Sequence, residues 1–164
     1  MMFGYHYETL VGMLGIAVEG DFICRVSYGR LPEEITGAAG YEEKETTLHQ
    51  KAARQVDEYF AGRRKEFELP IKILKGTEFQ RRVWAALREI PYGETKSYKE
   101  IAEAVGNPRG CRAVGMANRS NPVPLIIPCH RVIGANGSLV GFMGGEKRLD
   151  MKAQLLELEQ KNKE

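Results

Sequence analysis

Cysteine is scarce in this sequence. Its three cysteines, Cys24, Cys111 and Cys129, are an odd number among 164 residues, and no two of them have the CxxC spacing. This set excludes a fold held by a framework of disulfides and indicates thiols that stay reduced. A chain of this length buries enough apolar surface to fold without cross-links. The cysteines therefore serve either packing or chemistry.

Long apolar runs are also missing. No segment approaches the roughly 20 apolar residues that a membrane-spanning helix needs. The start of the sequence, MMFGYHYETL, has neither the basic region nor the apolar stretch of a signal peptide. With 43% hydrophobic and 28% charged residues, the composition excludes a disordered or collagen-like chain. We expect a globular, cytoplasmic protein that does not bind membranes.

Neither sign of charge is in large excess over the whole chain, but the charges are unevenly distributed along it. The formal net charge is +2, with −4 on residues 1–70 and +6 on residues 71–164. The basic half indicates a polyanionic partner, although a solvated basic face without a partner has the same composition.

The first 70 residues are predicted to form a small α/β domain. Alternating apolar and polar residues on both sides of Gly20 predict two antiparallel strands joined as a hairpin, and the Gly- and acid-rich segment GRLPEEITGAAGYEEKE predicts a loop. Thr47 with Gln50 has the capping-box pattern, which predicts a helix that runs to Gly62. The segment EFELPIKIL predicts another short strand.

Residues 71–164 are predicted to form a mostly helical domain. Thr77 with Gln80 caps a helix through FQRRVWAALREI, and a final helix, KRLDMKAQLLELEQ, places its leucines near the core. Between them, a helix from Ser97 to about Val105, a turn, and a helix over residues 109–119 have the order of a helix-turn-helix.

Two short helices joined by a glycine turn also occur in ordinary helical cores, so the pattern alone leaves both interpretations open. Two details favour DNA. Residues 95–131 carry a net charge of +4, and the second helix contains the small residues Ala113, Gly115 and Ala117, which let a partner approach its backbone. From that helix Arg112 can reach a phosphate or a base.

The segment PLIIPCHRVIGANG places Cys129 beside His130 in stiff, apolar surroundings. Packing is one explanation for the cysteine, because free cysteine is often buried. Catalysis is the other, because His130 can take the thiol proton directly or through a water, provided that a carboxylate fixes its tautomer. The final helix offers Glu157 and Glu159, and spacing does not choose between them.

The stretch SYKEIAEAVGNPRGCRAVGMANRSNPVPLIIPCHRVIGANG resembles the O6-alkylguanine-DNA alkyltransferase family, also called methylated-DNA–protein-cysteine methyltransferases. The resemblance runs from about Phe79 to the C-terminus, and PCHRV is the family signature. It implies a DNA repair protein that flips O6-alkylguanine out of duplex DNA and transfers the alkyl group irreversibly to Cys129, without a cofactor. The protein would act once, as a monomer.

The resemblance also implies roles for individual residues. His130 would be the base that acts through a water, Glu159 the carboxylate that holds it, and Asn121 the hinge between the DNA-binding helix and the active-site loop. The residues implied in DNA binding are Ser97, Tyr98, Arg112, Ala113, Gly115 and Arg119, with Arg112 filling the gap left by the extruded base. The residues implied in the substrate pocket are Tyr98, Arg131, Phe142, Met143 and Lys152.

The sequence departs from the family pattern at two places. Phe142 stands where the family usually has a tyrosine, and the segment MGGEKRLDMK is about three residues longer than expected. The zinc site of some members is matched only loosely by His6, Cys24 and His49, whose scattered spacing predicts no metal. The alternative functions are a helix-turn-helix protein that binds alkylated DNA without reacting and, more distantly, a Cys-His hydrolase.

Overall fold

The computed structural model describes residues 1–138 and 149–163, and the chain divides into two compact units, Met1–Leu74 and Lys75–Glu164. Within the described ranges, no helix is both long enough and apolar enough to cross a membrane.

The N-terminal unit is a four-stranded sheet with a long helix packed against it. The elements are β1 (Met2–Thr9), β2 (Gly12–Glu19), β3 (Phe22–Tyr28), α1 (Glu33–Thr36), β4 (Tyr41–Glu43) and α2 (Thr47–Phe60). The sheet order is β3-β2-β1-β4; β1 and β2 are antiparallel, as are β2 and β3, whereas β4 runs parallel to β1. The helix α2 packs against β1 and β2.

The predicted hairpin is confirmed as β2 and β3, which turn at Gly20 with a φ of 60°. The prediction missed β1 because the turn before β2 lacks a typical turn dipeptide. Instead, the Thr9 hydroxyl donates to the Gly12 carbonyl at 2.7 Å and accepts from the Val11 amide at 3.2 Å. The predicted loop after β3 was also wrong in part, since it contains α1 and β4.

The segment EFELPIKIL does not form the predicted strand. Its described pairing is one parallel bridge, in which the Ile23 amide donates to the Pro70 carbonyl and the Lys72 amide donates to the Ile23 carbonyl, each at 2.9 Å. Pro70 has no N–H to give, so a longer ladder is not available there.

The cap of α2 lies one residue before the predicted position. The Thr46 hydroxyl accepts from the His49 amide at 3.3 Å, and the Thr46 amide donates to His49 Nδ1 at 3.1 Å. His49 takes the place of the usual Glu or Gln because its Nε2 lies 2.9 Å from the Ile16 carbonyl, which fixes the proton on Nε2 and leaves Nδ1 as an acceptor. The predicted pair of Thr47 and Gln50 was wrong.

The C-terminal unit is mostly helical. Its elements are α3 (Glu78–Arg88), β5 (Lys96–Ser97), α4 (Tyr98–Ala104), α5 (Cys111–Arg119), β6 (Val132–Ile133) and α6 (Leu149–Asn162). The helices α3, α4 and α5 pack against one another. A 3-10 turn at Cys129–Arg131 leads into β6, which pairs in parallel with β5.

The predicted fold class, an α/β unit followed by a mostly helical unit, is confirmed, and α4 and α5 lie where the two helices of the helix-turn-helix were predicted. The predicted caps of α3 and α4 are present as reciprocal capping boxes. The helix α5 begins at Cys111 rather than at residue 109, because the turn before it extends to Gly110, whose amide donates to the Asn107 carbonyl at 2.8 Å.

The inner face of α6 differs from the prediction. Leu155 is buried, but the positions one turn to either side are Lys152 and Glu159, both 0% exposed, whereas the other predicted core leucines, Leu149, Leu156 and Leu158, are half-buried. The helix therefore buries two polar side chains, which requires partners for both.

Replacing Thr46 with alanine should lower the free energy of unfolding by about 1 kcal/mol, since the α2 cap loses its acceptor. The matched control is Thr47→Ala, which changes an exposed neighbour outside the cap. Urea denaturation of both variants measures the difference. A greater loss for Thr47→Ala would contradict the observed cap.

Candidate active site and nucleic-acid interface

The loop between α5 and Cys129 holds the cysteine in an unusual backbone conformation. Leu125, which is buried, has a φ of 74°, a left-handed value that costs a side-chain-bearing residue energy. Pro128 has φ −79° and ψ 66°, the inverse γ-turn, and the Cys129 amide donates across it to the Ile127 carbonyl at 2.8 Å. The amide of Cys129 is thus fixed by the chain before it.

The side chain of Asn121 lies inside this loop and bonds to its backbone at two places. Its Nδ2 donates to the Ile127 carbonyl at 2.8 Å, and its Oδ1 accepts from the Val123 amide at 2.9 Å. Asn121 is 2% exposed. Its side chain therefore replaces backbone partners that an irregular loop lacks, and it holds the loop beside the end of α5.

Cys129 is 0% exposed. Burial raises the pKa of its thiol to about 11, although a hydrogen bond from Asn121 and the charge of Lys152 act in the opposite direction. At neutral pH the resting group is therefore a thiol. The cost of removing the charged form from water outweighs the effect of these two neighbours.

His130 and Glu159 form a buried pair, with Nε2 and Oε2 2.6 Å apart and both residues 0% exposed. The carboxylate accepts the Nε2 proton, so Nδ1 carries the lone pair. Among the described residues Nδ1 has no hydrogen-bond partner. Burial lowers the pKa of His130, against the raising effect of Glu159, so the resting imidazole is neutral and has one basic nitrogen.

Glu159 accepts hydrogen bonds from His130, Arg131 and Gly93. In addition to His130, Arg131 donates through Nε to Oε1 at 2.8 Å and through Nη2 to Oε2 at 3.0 Å, and the Gly93 amide donates to Oε1 at 3.1 Å. Burial alone would raise the pKa of Glu159, but these donors and the positive charge of Arg131 outweigh it and lower the pKa. Glu159, not the exposed Glu157, is the inward carboxylate.

Gly93 has to be glycine for this contact. Its φ is 80°, and a Cβ added there would lie 2.7 Å from Lys163 Cβ. Gln160 Nε2 also donates to the Gly93 carbonyl at 2.7 Å. The turn after α3 is therefore bonded to α6 through both backbone polar groups of one residue, the N–H and the C=O of Gly93.

Arg131, predicted in the substrate pocket, makes structural contacts. Besides its two bonds to Glu159, its Nη1 donates to the Ile90 carbonyl at 2.7 Å, and its guanidinium lies 5.7 Å from the ring centre of Tyr92. These contacts make Arg131 the counter-charge that keeps Glu159 ionised.

Lys152, Tyr98 and Asn118 lie around Cys129. Lys152 Nζ lies 5.8 Å from the ring centre of Tyr98, and burial lowers the pKa of Lys152 to about 8 while the Cys129 charge acts in the opposite direction. Burial raises the pKa of Tyr98 to about 12. Asn118 Nδ2 donates to the Cys129 carbonyl at 3.3 Å, and its side chain also bonds to Tyr98. The structure thus brings two predicted pocket residues to the cysteine.

Sequence analysis missed Asn118. It is 0% exposed on the inner face of α5, beside Val114 and Ala117. The available signal was an amide on the apolar stripe of a predicted helix, because a buried amide requires a specific partner.

The outer face of α5 carries the predicted DNA-binding residues. Arg112, Ala113 and Arg119 are exposed, and space is open around Gly115. Met116, which the sequence did not single out, is 64% exposed on the same helix. Ser97, at the start of α4, uses its hydroxyl to accept from the Glu100 amide at 3.0 Å.

The α3 helix fixes the C-terminal end of α5. Trp84 Nε1 donates to the Ala117 carbonyl at 2.8 Å, and Gln80 Nε2 donates to the Ser120 hydroxyl at 3.3 Å. The first contact satisfies a carbonyl that the last turn of α5 leaves without a partner in the helix, and the second bonds α3 to the residue that follows α5.

Phe142 and Met143 lie outside the described residues. The residues considered for zinc make other contacts: His6 Nε2 accepts from the Leu31 amide at 3.0 Å, Cys24 Sγ donates to the Ala17 carbonyl at 3.5 Å, and His49 forms the capping box of α2 with Thr46. Within the ranges that the structure describes, no cluster of three metal-ligating side chains occurs.

Comparison with protein families accounts for both units. Residues 78–161 match the family described as 6-O-methylguanine DNA methyltransferase, DNA binding domain, and residues 2–73 match its ribonuclease-like domain. The chain belongs to the 6-O-methylguanine DNA methyltransferase family. The resemblance found in the sequence is therefore confirmed.

Relatives in this family match almost the whole chain. The methylated-DNA–protein-cysteine methyltransferase of Methanosarcina acetivorans is 44% identical over 93% of this chain and 95% of its own length. The constitutive methyltransferase of Bacillus subtilis is 47% identical over 93% of this chain and 92% of its own length.

Solved structures of the family have the same fold. The Mycobacterium tuberculosis O6-methylguanine methyltransferase has a TM-score of 0.85 at 39% identity, covering 99% of this chain and 94% of its own. The same organism's OGT in complex with DNA has a TM-score of 0.85 at 40% identity, covering 98% of this chain and 94% of its own.

In this family member, Glu159→Gln should lower the free energy of unfolding by about 3–5 kcal/mol, because Arg131 keeps a buried charge without its counter-charge. Glu157→Gln, on the exposed side of α6, is the control. Because the pKa of Glu159 is lowered in the folded state, its stabilisation is complete above the ordinary glutamate pKa of about 4.3 and is lost as the pH falls below it.

Urea denaturation at neutral pH and in acid measures both effects. The acid-induced loss of stability should be shallower for Glu159→Gln than for the unchanged protein. Equal stability of the two glutamine variants would contradict the assigned network.

Proposed function

We propose that this chain is a DNA repair protein that transfers an alkyl group from O6 of guanine in duplex DNA to Sγ of Cys129, once and irreversibly. The observation that carries the proposal is the buried His130–Glu159 pair, which leaves a basic Nδ1 next in sequence to the cysteine. The named activity of relatives at 44% and 47% identity supports it.

The reaction is a displacement at the alkyl carbon. The thiol proton passes to His130 Nδ1 through a water, the S–C bond forms as the C–O6 bond breaks, and the electron pair of that bond stays on the guanine. The departing guanine then takes up a proton. The product is a thioether, which has no polarised carbonyl for water to attack, so the cysteine is not regenerated.

Buried charges prepare the site for this proton transfer. Transfer creates an imidazolium on His130 and a thiolate on Cys129. Glu159, held ionised by Arg131, stabilises the imidazolium, and the ammonium of Lys152 stabilises the thiolate. These groups are already oriented before the substrate enters, so little reorganisation is needed during the reaction.

The outer face of α5 is the proposed DNA contact. Ala113 and Gly115 allow the helix backbone to approach a groove, Arg119 lies on the same exposed face, and Arg112 projects from the first turn to occupy the space of the extruded guanine. Extrusion costs a few kcal/mol, which a filled gap offsets. The DNA complex of the M. tuberculosis OGT supports DNA as the partner.

Other assigned roles follow from position. Ser97 and Tyr98, at the start of α4, are proposed to contact phosphate, and Asn121 is proposed as the hinge between α5 and the cysteine loop. Phe142 and Met143 stay predictions for the pocket wall, as do the monomeric state and the cytoplasmic location. A binder that does not react is disfavoured, because it has no need of a cysteine or of a buried base.

The proposal predicts that the protein gains one methyl group from a duplex oligonucleotide that contains O6-methylguanine. Intact-protein mass spectrometry should show one addition, and peptide mapping should place it on Cys129. Cys129→Ser should gain none, whereas Cys111→Ser, which changes an exposed cysteine, should react normally. DNA binding without a mass change in the unchanged protein would favour the non-reactive binder.

Arg112→Ala should slow alkyl transfer from duplex DNA by at least about tenfold, because no side chain fills the gap left by the flipped base. Transfer from the free base O6-methylguanine should change little, since no extrusion is required. Arg88→Ala, which removes an exposed arginine from α3, is the charge-matched control. Equal losses on the two substrates would refute the role of Arg112.

A further inference from the structure

We infer that Asn118 is a positioning residue, which fixes the main chain of Cys129 and the hydroxyl of Tyr98 relative to α5; this inference rests on the proposed function. Asn118 is 0% exposed on the inner face of α5. The outer face of the same helix carries Arg112 and Arg119. One short helix therefore connects the proposed DNA contact with the alkyl acceptor.

The contact with Cys129 completes the restraint of that residue. The Cys129 amide already donates to the Ile127 carbonyl, and the Cys129 carbonyl accepts from the Val132 amide at the end of the 3-10 turn. Asn118 Nδ2 donates to the same carbonyl at 3.3 Å and takes its second lone pair. With both peptide groups held, the direction of the Cα–Cβ bond is fixed, and Sγ can move only by rotation about that bond.

The contact with Tyr98 reaches the other side of the site. The Asn118 side chain bonds to the Tyr98 hydroxyl, and the Tyr98 ring lies below the ammonium of Lys152 at 5.8 Å. Tyr98 is the proposed phosphate contact, and Lys152 the proposed support of the thiolate. Asn118 thus sets the spacing between the group that holds DNA and the group that reacts.

Packing alone does not account for an amide at this position. Val114 and Ala117, its neighbours on the inner face of α5, are apolar, and a leucine would fill a similar volume without the cost of burying an amide. A displacement of reacting atoms by about 1 Å reduces rates by up to ~10²-fold. A residue that prevents such a displacement affects the reaction rate more than the affinity.

The test compares Asn118→Leu and Asn118→Asp with the unchanged protein. Both variants lose the donor to the Cys129 carbonyl, and they differ in polarity. Asn162→Leu is the matched control, because Asn162 Nδ2 also donates to a backbone carbonyl, that of Leu158 at 2.9 Å, on the far end of α6. Circular dichroism and thermal melting establish that each variant folds.

Two quantities are measured for each protein: the dissociation constant for unmodified duplex DNA and the single-turnover rate of methyl transfer at saturating O6-methylguanine duplex. The inference expects the rate to fall by at least about tenfold in both Asn118 variants, with the dissociation constant within about threefold of the unchanged value. Asn162→Leu should change neither.

An undiminished rate in the folded Asn118 variants would overturn the inference. A rate loss matched by an equal loss of DNA affinity would also overturn it, because Asn118 would then act through DNA binding. A failure of both variants to fold would overturn it as well, because Asn118 would then serve the core alone. If the unchanged protein transfers no methyl group to Cys129, the proposed function itself fails, and this result is read before any variant is compared.

Discussion

The carboxylate of Glu159 is the contact on which the site depends. It accepts hydrogen bonds from the imidazole of His130, the guanidinium of Arg131 and the amide of Gly93. These bonds join α6 to the 3-10 turn and to the turn after α3. Because the donors come from two separate turns of the unit, the carboxylate both organises the fold and sets the imidazole tautomer. Both the stability of the unit and the proposed proton transfer therefore depend on the buried charge of Glu159.

Burial controls how reactive the site is at rest. The same desolvation that raises the pKa of Cys129 lowers the pKa values of His130 and Lys152, so every group that would carry charge in the reaction is held towards its neutral form. Glu159 is the exception, because Arg131 compensates it. A thiol of this kind is protected from adventitious alkylation, and its activation requires a reaction partner placed against it.

The features that were predicted correctly from the sequence are those that depend on residues close together in the chain. The boxes at Thr77 and Ser97 are complete within four residues, and Cys129 and His130 are adjacent, so no long-range information was needed. Spacing alone could not choose Glu159 over Glu157, because that choice depends on which side of α6 faces Arg131, and only the family resemblance pointed to Glu159. The sequence did not predict the partners of Asn118 either, because Tyr98 and Cys129 are distant from it in sequence and contact it only in the folded chain.

The chain has a single tryptophan, and its indole N–H is bonded to the Ala117 carbonyl of α5. Indole emission responds to hydrogen bonding and to the polarity around the ring. The unit thus contains an intrinsic optical probe attached to the helix that carries Arg112. Movement of that helix can be followed by fluorescence in the unlabelled protein, without the emission of a second indole to separate.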